Sequence, residues 1–80
     1  MNNNEKNIIG NIRTFKKQID DLKAEADNIQ RRGDDLTKVA QIRYAEIPEL
    51  EKKIKKEETE LVRLETTGQK ILKEEIDEED

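Results

Sequence analysis

Residues 8–29 read IIGNIRTFKKQIDDLKAEADNI, and a single rhythm runs through them. Ile8, Ile12, Phe15, Ile19, Leu22, Ala26 and Ile29 follow one another at steps of four, three, four, three, four and three. This is the a/d spacing of a coiled-coil seam, a narrow apolar stripe on a helix whose other faces are polar. It predicts a helix over about Lys6 to Arg32, roughly 40 Å long at ~1.5 Å per residue. Lys16–Asp20, Lys17–Asp21, Lys23–Asp27 and Asp27–Arg31 stand four apart on its outer face. Such pairs support a helix by tenths of a kcal/mol each without fixing it. Gly10 weakens the first turns.

Gly33 is expected to end this helix, because glycine tolerates the left-handed residue just past a helix terminus. Arg31 and Arg32 complement the negative end of the helix dipole. Asp34 or Asp35 can cap a second, short helix over about 35–45. Pro48 is expected to end that helix and to open a third over 48–66, where its missing N–H is no loss. The third helix resumes the rhythm with Ile47, Leu50, Ile54, Leu61 and Leu64, Glu57 standing out of turn. Thr66, Thr67 and Gly68 weaken it. Residues 67–80 read as an acidic linker, and residues 1–5 as a disordered start.

Two long helices with one stripe each, joined by a short one, predict an all-α antiparallel hairpin with the short helix at its tip. A homo-oligomerising coiled coil through the first helix is the alternative, but a parallel dimer leaves the third helix's stripe exposed.

Composition agrees. Of 80 residues, 45% are charged and 31% hydrophobic, with one Phe, one Tyr and no Trp, which suits long charged helices better than a compact enzyme core. With neither Cys nor His, thiolate and imidazole metal sites and Ser-His or Cys-His catalysis have no residues to build them. Gly10, Gly33 and Gly68 are too scattered for a phosphate loop. No catalytic residue, cofactor site or metal site is therefore assigned. No run of residues suits a membrane span. Six of the 20 acids fall within Glu74–Asp80, leaving 14 against 16 bases in a body of finely mixed sign. A nucleic-acid groove wants a one-sided basic stripe, so nucleic acid is not an expected partner.

On a helical wheel of the tip, Leu36, Ala40, Arg43 and Ile47 share one side with Val39 and Tyr44 at its edges, while Ile42 points away. Leu36, Val39, Ala40 and Ile47 are expected to seal the hairpin end, and Ile42 is expected to be exposed.

Residues 32–52, RGDDLTKVAQIRYAEIPELEK, resemble the middle domain of ClpB-type AAA+ disaggregases. That family's segment reads much like Gly-Asp-Leu-x-Lys-x-x-x-ϕ-x-Tyr-Gly-x-ϕ-Pro-x-Leu-Glu, with ϕ apolar. The Gly-Asp-Leu turn, Tyr44 and the Pro48-x-Leu50-Glu51 start fall in order. ILKEEIDEED, residues 71–80, is similar to the family's lead-in to its second ATPase module, so the resemblance covers about residues 8–80. One extra aspartate at 34–35 lengthens the turn, and Ala45 stands where the family has Gly.

The resemblance implies the second arm of a coiled-coil propeller, the first arm and both ATPase modules lying outside these 80 residues. It implies a regulatory module that docks on its own AAA+ ring to repress it, and on the nucleotide-binding domain of a DnaK-type chaperone to activate disaggregation. ATP and magnesium would then serve the parent hexamer, whereas this chain alone is expected to be a monomer without cofactor. A cytoplasmic or organellar setting follows, and the lack of Cys fits a reducing compartment. Asp34, Asp35, Lys38, Gln41, Ile42, Arg43, Tyr44 and Glu46 become the expected partner-binding residues. Tyr44 falls on the family's regulatory tyrosine, and Lys16 and Asp20 on charged regulatory positions of the long helix.

Overall fold

The computed structural model describes residues 4–79, with side chains described for 4–67. Helix α1 spans Asn4–Arg32, α2 spans Leu36–Gln41, a π-helical segment follows over Ile42–Glu46, and α3 runs over Ile47–Glu79. The molecule is an antiparallel α1–α3 hairpin, 68 Å long and 19 by 17 Å across, with α2 at its tip. All seven positions of the α1 stripe are buried or half-buried, as are Ile47, Leu50, Ile54, Leu61 and Leu64 on α3. The continuous core joins Ile19, Ala26 and Ile29 to Val39, Ile42, Ile47 and Ile54. Glu57, out of turn in the stripe, is half-buried and accepts from Asn11 Nδ2 at 2.8 Å across the hairpin. Lys53 Nζ lies over the Phe15 ring, 5.8 Å from its centroid, one turn nearer the tip.

The turn after α1 follows from two residues. Gly33 adopts φ 71°, its N–H donates to Gln30 O, and Asp34 N–H donates to Ile29 O. These are the two bonds of a Schellman motif, which satisfies carbonyls that the helix end leaves free. Asp35 then caps α2, its Oδ1 accepting from Lys38 N–H at 3.1 Å. A Cβ on Gly33 would meet nothing within 4 Å, so the need for glycine is conformational alone. Gly33→Ala is expected to cost about 1–2 kcal/mol, the penalty for a left-handed L-residue. Gly10, in an open helical position, gives the opposite sign: Gly10→Ala is expected to stabilise by about 0.5–1 kcal/mol. Thermal unfolding of the two variants side by side measures both.

The tip departs from expectation in two linked ways. No helix ends at Pro48: α2, the π segment and α3 form one right-handed path, with αR geometry at Ile42 and Ile47. Ile47 N–H donates to Ile42 O, five residues back. A proline inside an α-helix lacks a donor and presses its ring on the carbonyl four residues earlier. The widened turn just before Pro48 relieves both demands.

The same widening corrects the wheel. At α-helical pitch Ile42 and Ile47 would lie about 140° apart, but a turn closed by an i+5 bond brings them onto one face. Ile42 is accordingly the most deeply buried large side chain among the described residues, 0% exposed, and not an outward-facing residue. Leu36, expected in the seal, is 62% exposed, and Ala40 is exposed too. The buried ridge runs through Val39, Ile42, Ile47, Leu50 and Ile54 instead.

Helix α3 continues through Glu79, past the end expected near residue 66. Thr67 Oγ1 donates back to Arg63 O, which satisfies its hydroxyl within the helix. Weak propensity at Thr66, Thr67 and Gly68 amounts to about 1–2 kcal/mol in total, and good helix formers follow. Helix α1 begins at Asn4, inside the segment expected to be disordered. Residues 1–3 and Asp80, which carry the rest of the expected disordered start and acidic end, lie outside the described residues, as do all side chains from 68 onward.

Candidate functional site

The tip brings most of the expected partner-binding residues within about three helical turns of one another, yet it uses several of them to hold itself together. Asp35 is occupied as the α2 cap. Asp34 accepts from Arg32 Nε at 3.1 Å beside the turn. Lys38 Nζ reaches Glu25 Oε2 on α1 at 3.2 Å, and Arg43 Nη2 donates to Asp27 Oδ1 at 2.9 Å. Asp27 thus pairs across the hairpin with the tip rather than along α1 with Arg31, which donates to Asn28 instead. Ile42 is core and is removed from the docking set. Gln41 is exposed and Glu46 half-buried. On α3, well away from the tip, Arg63 donates to Glu60 and holds its carboxyl below the usual range.

Tyr44 makes none of these bonds. It is 80% exposed although Ile42, two positions earlier, is wholly buried. Tyr44, Pro48, Lys52 and Lys55 follow at helical spacing and, with Ala45, Glu49 and Glu51, line a shallow open groove on the outer side of the hairpin. The ring therefore stands at one end of an apolar-floored, mixed-charge surface. Ala45, Pro48, Glu49, Glu51, Lys52 and Lys55 line this groove and lie outside the expected partner-binding set. The four-, four- and three-residue spacing of Tyr44, Pro48, Lys52 and Lys55 was visible, but only a helix uninterrupted by Pro48 turns it into a face.

Lys16 and Asp20 are exposed on α1. They lie 16 and 12 residues before Arg32, or about 24 and 18 Å along the helix from the turn. Among the described residues no group of His, Cys, Asp and Glu could hold a metal ion, and no helix is long and apolar enough to cross a membrane.

The chain is 40% identical over 73 residues to the probable chaperone protein ClpB 1 of Chlorobaculum tepidum, covering 91% of this chain and 16% of that protein. It is 40% identical over 77 residues to the chaperone protein ClpB of Mycobacterium bovis, 96% of this chain and 9% of the relative. The chain is homologous to a segment of ClpB. A third relative, ClpB of Corynebacterium efficiens, is 45% identical over 58 residues, 72% of this chain and 7% of that one. The chain thus spans less than a fifth of the length of each of these ClpB relatives. No protein-family model and no solved structure matches it.

Proposed function

We propose that this chain acts as a regulatory coiled-coil arm of a ClpB-type, ATP-dependent protein disaggregase, corresponding to the second arm of its middle domain. Its tip would dock on the AAA+ ring to repress it, and on the nucleotide-binding domain of a DnaK-type chaperone to activate disaggregation. ATP and magnesium would be handled by the ATPase modules of the hexameric parent, in the cytoplasm or an organelle, and by no residue of this arm. The observation that carries this reading is Tyr44, a large ring left 80% exposed beside a wholly buried Ile42. An exposed aromatic on a rigid helical face is a good anchor for a reversible protein contact.

The test is an amide NMR titration of the 80-residue chain with the nucleotide-binding domain of a DnaK-type chaperone. Shifts are expected at residues 43–55 and at the adjoining end of α1. Tyr44→Asp is expected to keep helicity at 222 nm within a few per cent while abolishing those shifts. Wholesale loss of helicity in Tyr44→Asp would instead make the ring a structural element.

The second reading, a homo-oligomerising coiled coil, has one observation against it: the stripes of α1 and α3 are buried against each other within one chain. Sedimentation of the chain at micromolar concentration is expected to give a monomer.

A further inference from the structure

Two ion pairs tie the tip to α1, and they are not equivalent. The Lys38 and Glu25 side chains are 51% and 43% exposed, a solvated pair of little weight. Arg43 is only 34% exposed and reaches Asp27 across a chain separation of 16 residues. It belongs to the π segment, between Ile42 in the core and Tyr44 on the surface. The backbone there cannot rotate without pulling Ile42 out of the core, but a guanidinium on a long, flexible stem can change partners while the backbone stays in place. Asp27 is itself 58% exposed, so water and other anions reach the pair.

We propose that the Arg43–Asp27 pair is a latch on docking: Asp27 holds the guanidinium against α1, and a carboxylate on an acidic protein surface must displace Asp27 to engage it. The inference rests on the reading of the tip as a docking surface and adds the chemistry of the partner. A forked donor one residue from an exposed aromatic ring matches a carboxylate beside an apolar patch. Lys23, Ile47 and Glu51 line the same groove as Arg43 and Asp27. Lys23 supplies a second cation near Asp27, so the carboxylate is not stranded when Arg43 leaves. Glu51 supplies a second carboxylate that disfavours a partner presenting too many acids. The latch makes docking weaker than the tip surface alone would allow, and a contact that must be made and released repeatedly gains from that.

The test compares the full chain with Asp27→Asn, Arg43→Gln and the double variant, each titrated with the nucleotide-binding domain of a DnaK-type chaperone. Asp27 lies in the C-terminal half of α1, and removing an acid from that end does not weaken the helix. Asp27→Ala, a better helix former, serves as a second variant should the amide disturb the tip. Removing the Asp27 charge is expected to tighten binding about two- to fivefold, the effect of a partly exposed ion pair. Arg43→Gln is expected to weaken binding, and the double variant to bind like Arg43→Gln. In the chain by itself, the Arg43 Nη2–H signals should exchange with water more slowly in the native protein than in Asp27→Asn. Binding in which both Asp27 variants are no tighter than the native chain, or equal exchange of the Arg43 Nη2–H protons in the two forms, overturns the latch alone. Absence of binding by every form overturns the docking reading, and the latch with it.

Discussion

Ile42→Ala is expected to lower the stability of the chain by about 2–5 kcal/mol, the cost of emptying a well-packed isoleucine site. Chains of this size hold roughly 4–12 kcal/mol in all, so the variant loses a large fraction of its stability. The reason lies in where Ile42 sits: it is 0% exposed and packs among Ala26, Ile29, Val39 and Ile47, at the junction of α1, α2 and α3. No other residue of the tip is so placed. Tyr44→Ala, two positions on, is expected to change stability by no more than about 0.5 kcal/mol. Urea denaturation followed at 222 nm measures both, and a loss below 1 kcal/mol for Ile42→Ala would mean that the tip does not pack on α1 as described. Ile42→Asp sharpens the contrast, since an unpaired charge at this position is expected to melt the tip outright.

Ala26→Leu separates the two architectures by the sign of its effect. Ala26 is 0% exposed and belongs to the same cluster, so a leucine must force α1 and the tip apart. In the hairpin the substitution is expected to destabilise by about 1–3 kcal/mol. In a parallel self-associating coil the same position would be one seam site among many, and replacing alanine by leucine there would strengthen the assembly. Melting temperature and sedimentation, measured together on this variant, read out both the direction and the stoichiometry.

Much of this was legible in the order of residues. The seven α1 stripe positions are all buried or half-buried, and the turn forms at Gly33 with Asp35 as cap, because these outcomes depend on local rules: helical periodicity, a left-handed glycine and a short carboxylate facing free amides. The ClpB resemblance rests on the same segment and is supported by relatives at 40–45% identity. The candidate site was half legible. Tyr44, Lys38 and Arg43 were named from the sequence, whereas Ile42 was placed on the wrong side, and Ala45, Pro48, Glu49, Glu51, Lys52 and Lys55 were left out of the site. Both errors have one origin, a wheel turned at constant pitch and stopped at a proline.

Glu25 and Asp27 make the same point from the other strand of the hairpin. Glu25 flanks the apolar stripe, but Asp27 stands a heptad after Asp20 at the same position relative to it, and Asp21 pairs along its own helix with Lys17 at 3.4 Å. Which acid reaches the tip depends on how α2 is aimed after the Schellman turn, a three-dimensional outcome.

By itself the sequence determined that the chain is all helix, where α1 stops, which stripe of each long helix is buried, and to which chaperone lineage the turn and the tyrosine point. Each of these is set by contacts or torsions among residues within a few positions of one another. Only the tertiary structure decided the direction of the tip. The fully buried Ile42 and the missing N–H of Pro48 are both accommodated when the helix widens by one residue between them. That widening forms because α1 offers Ala26 and Ile29 as a surface for Ile42 to cover, and the outward face of Tyr44 is its consequence.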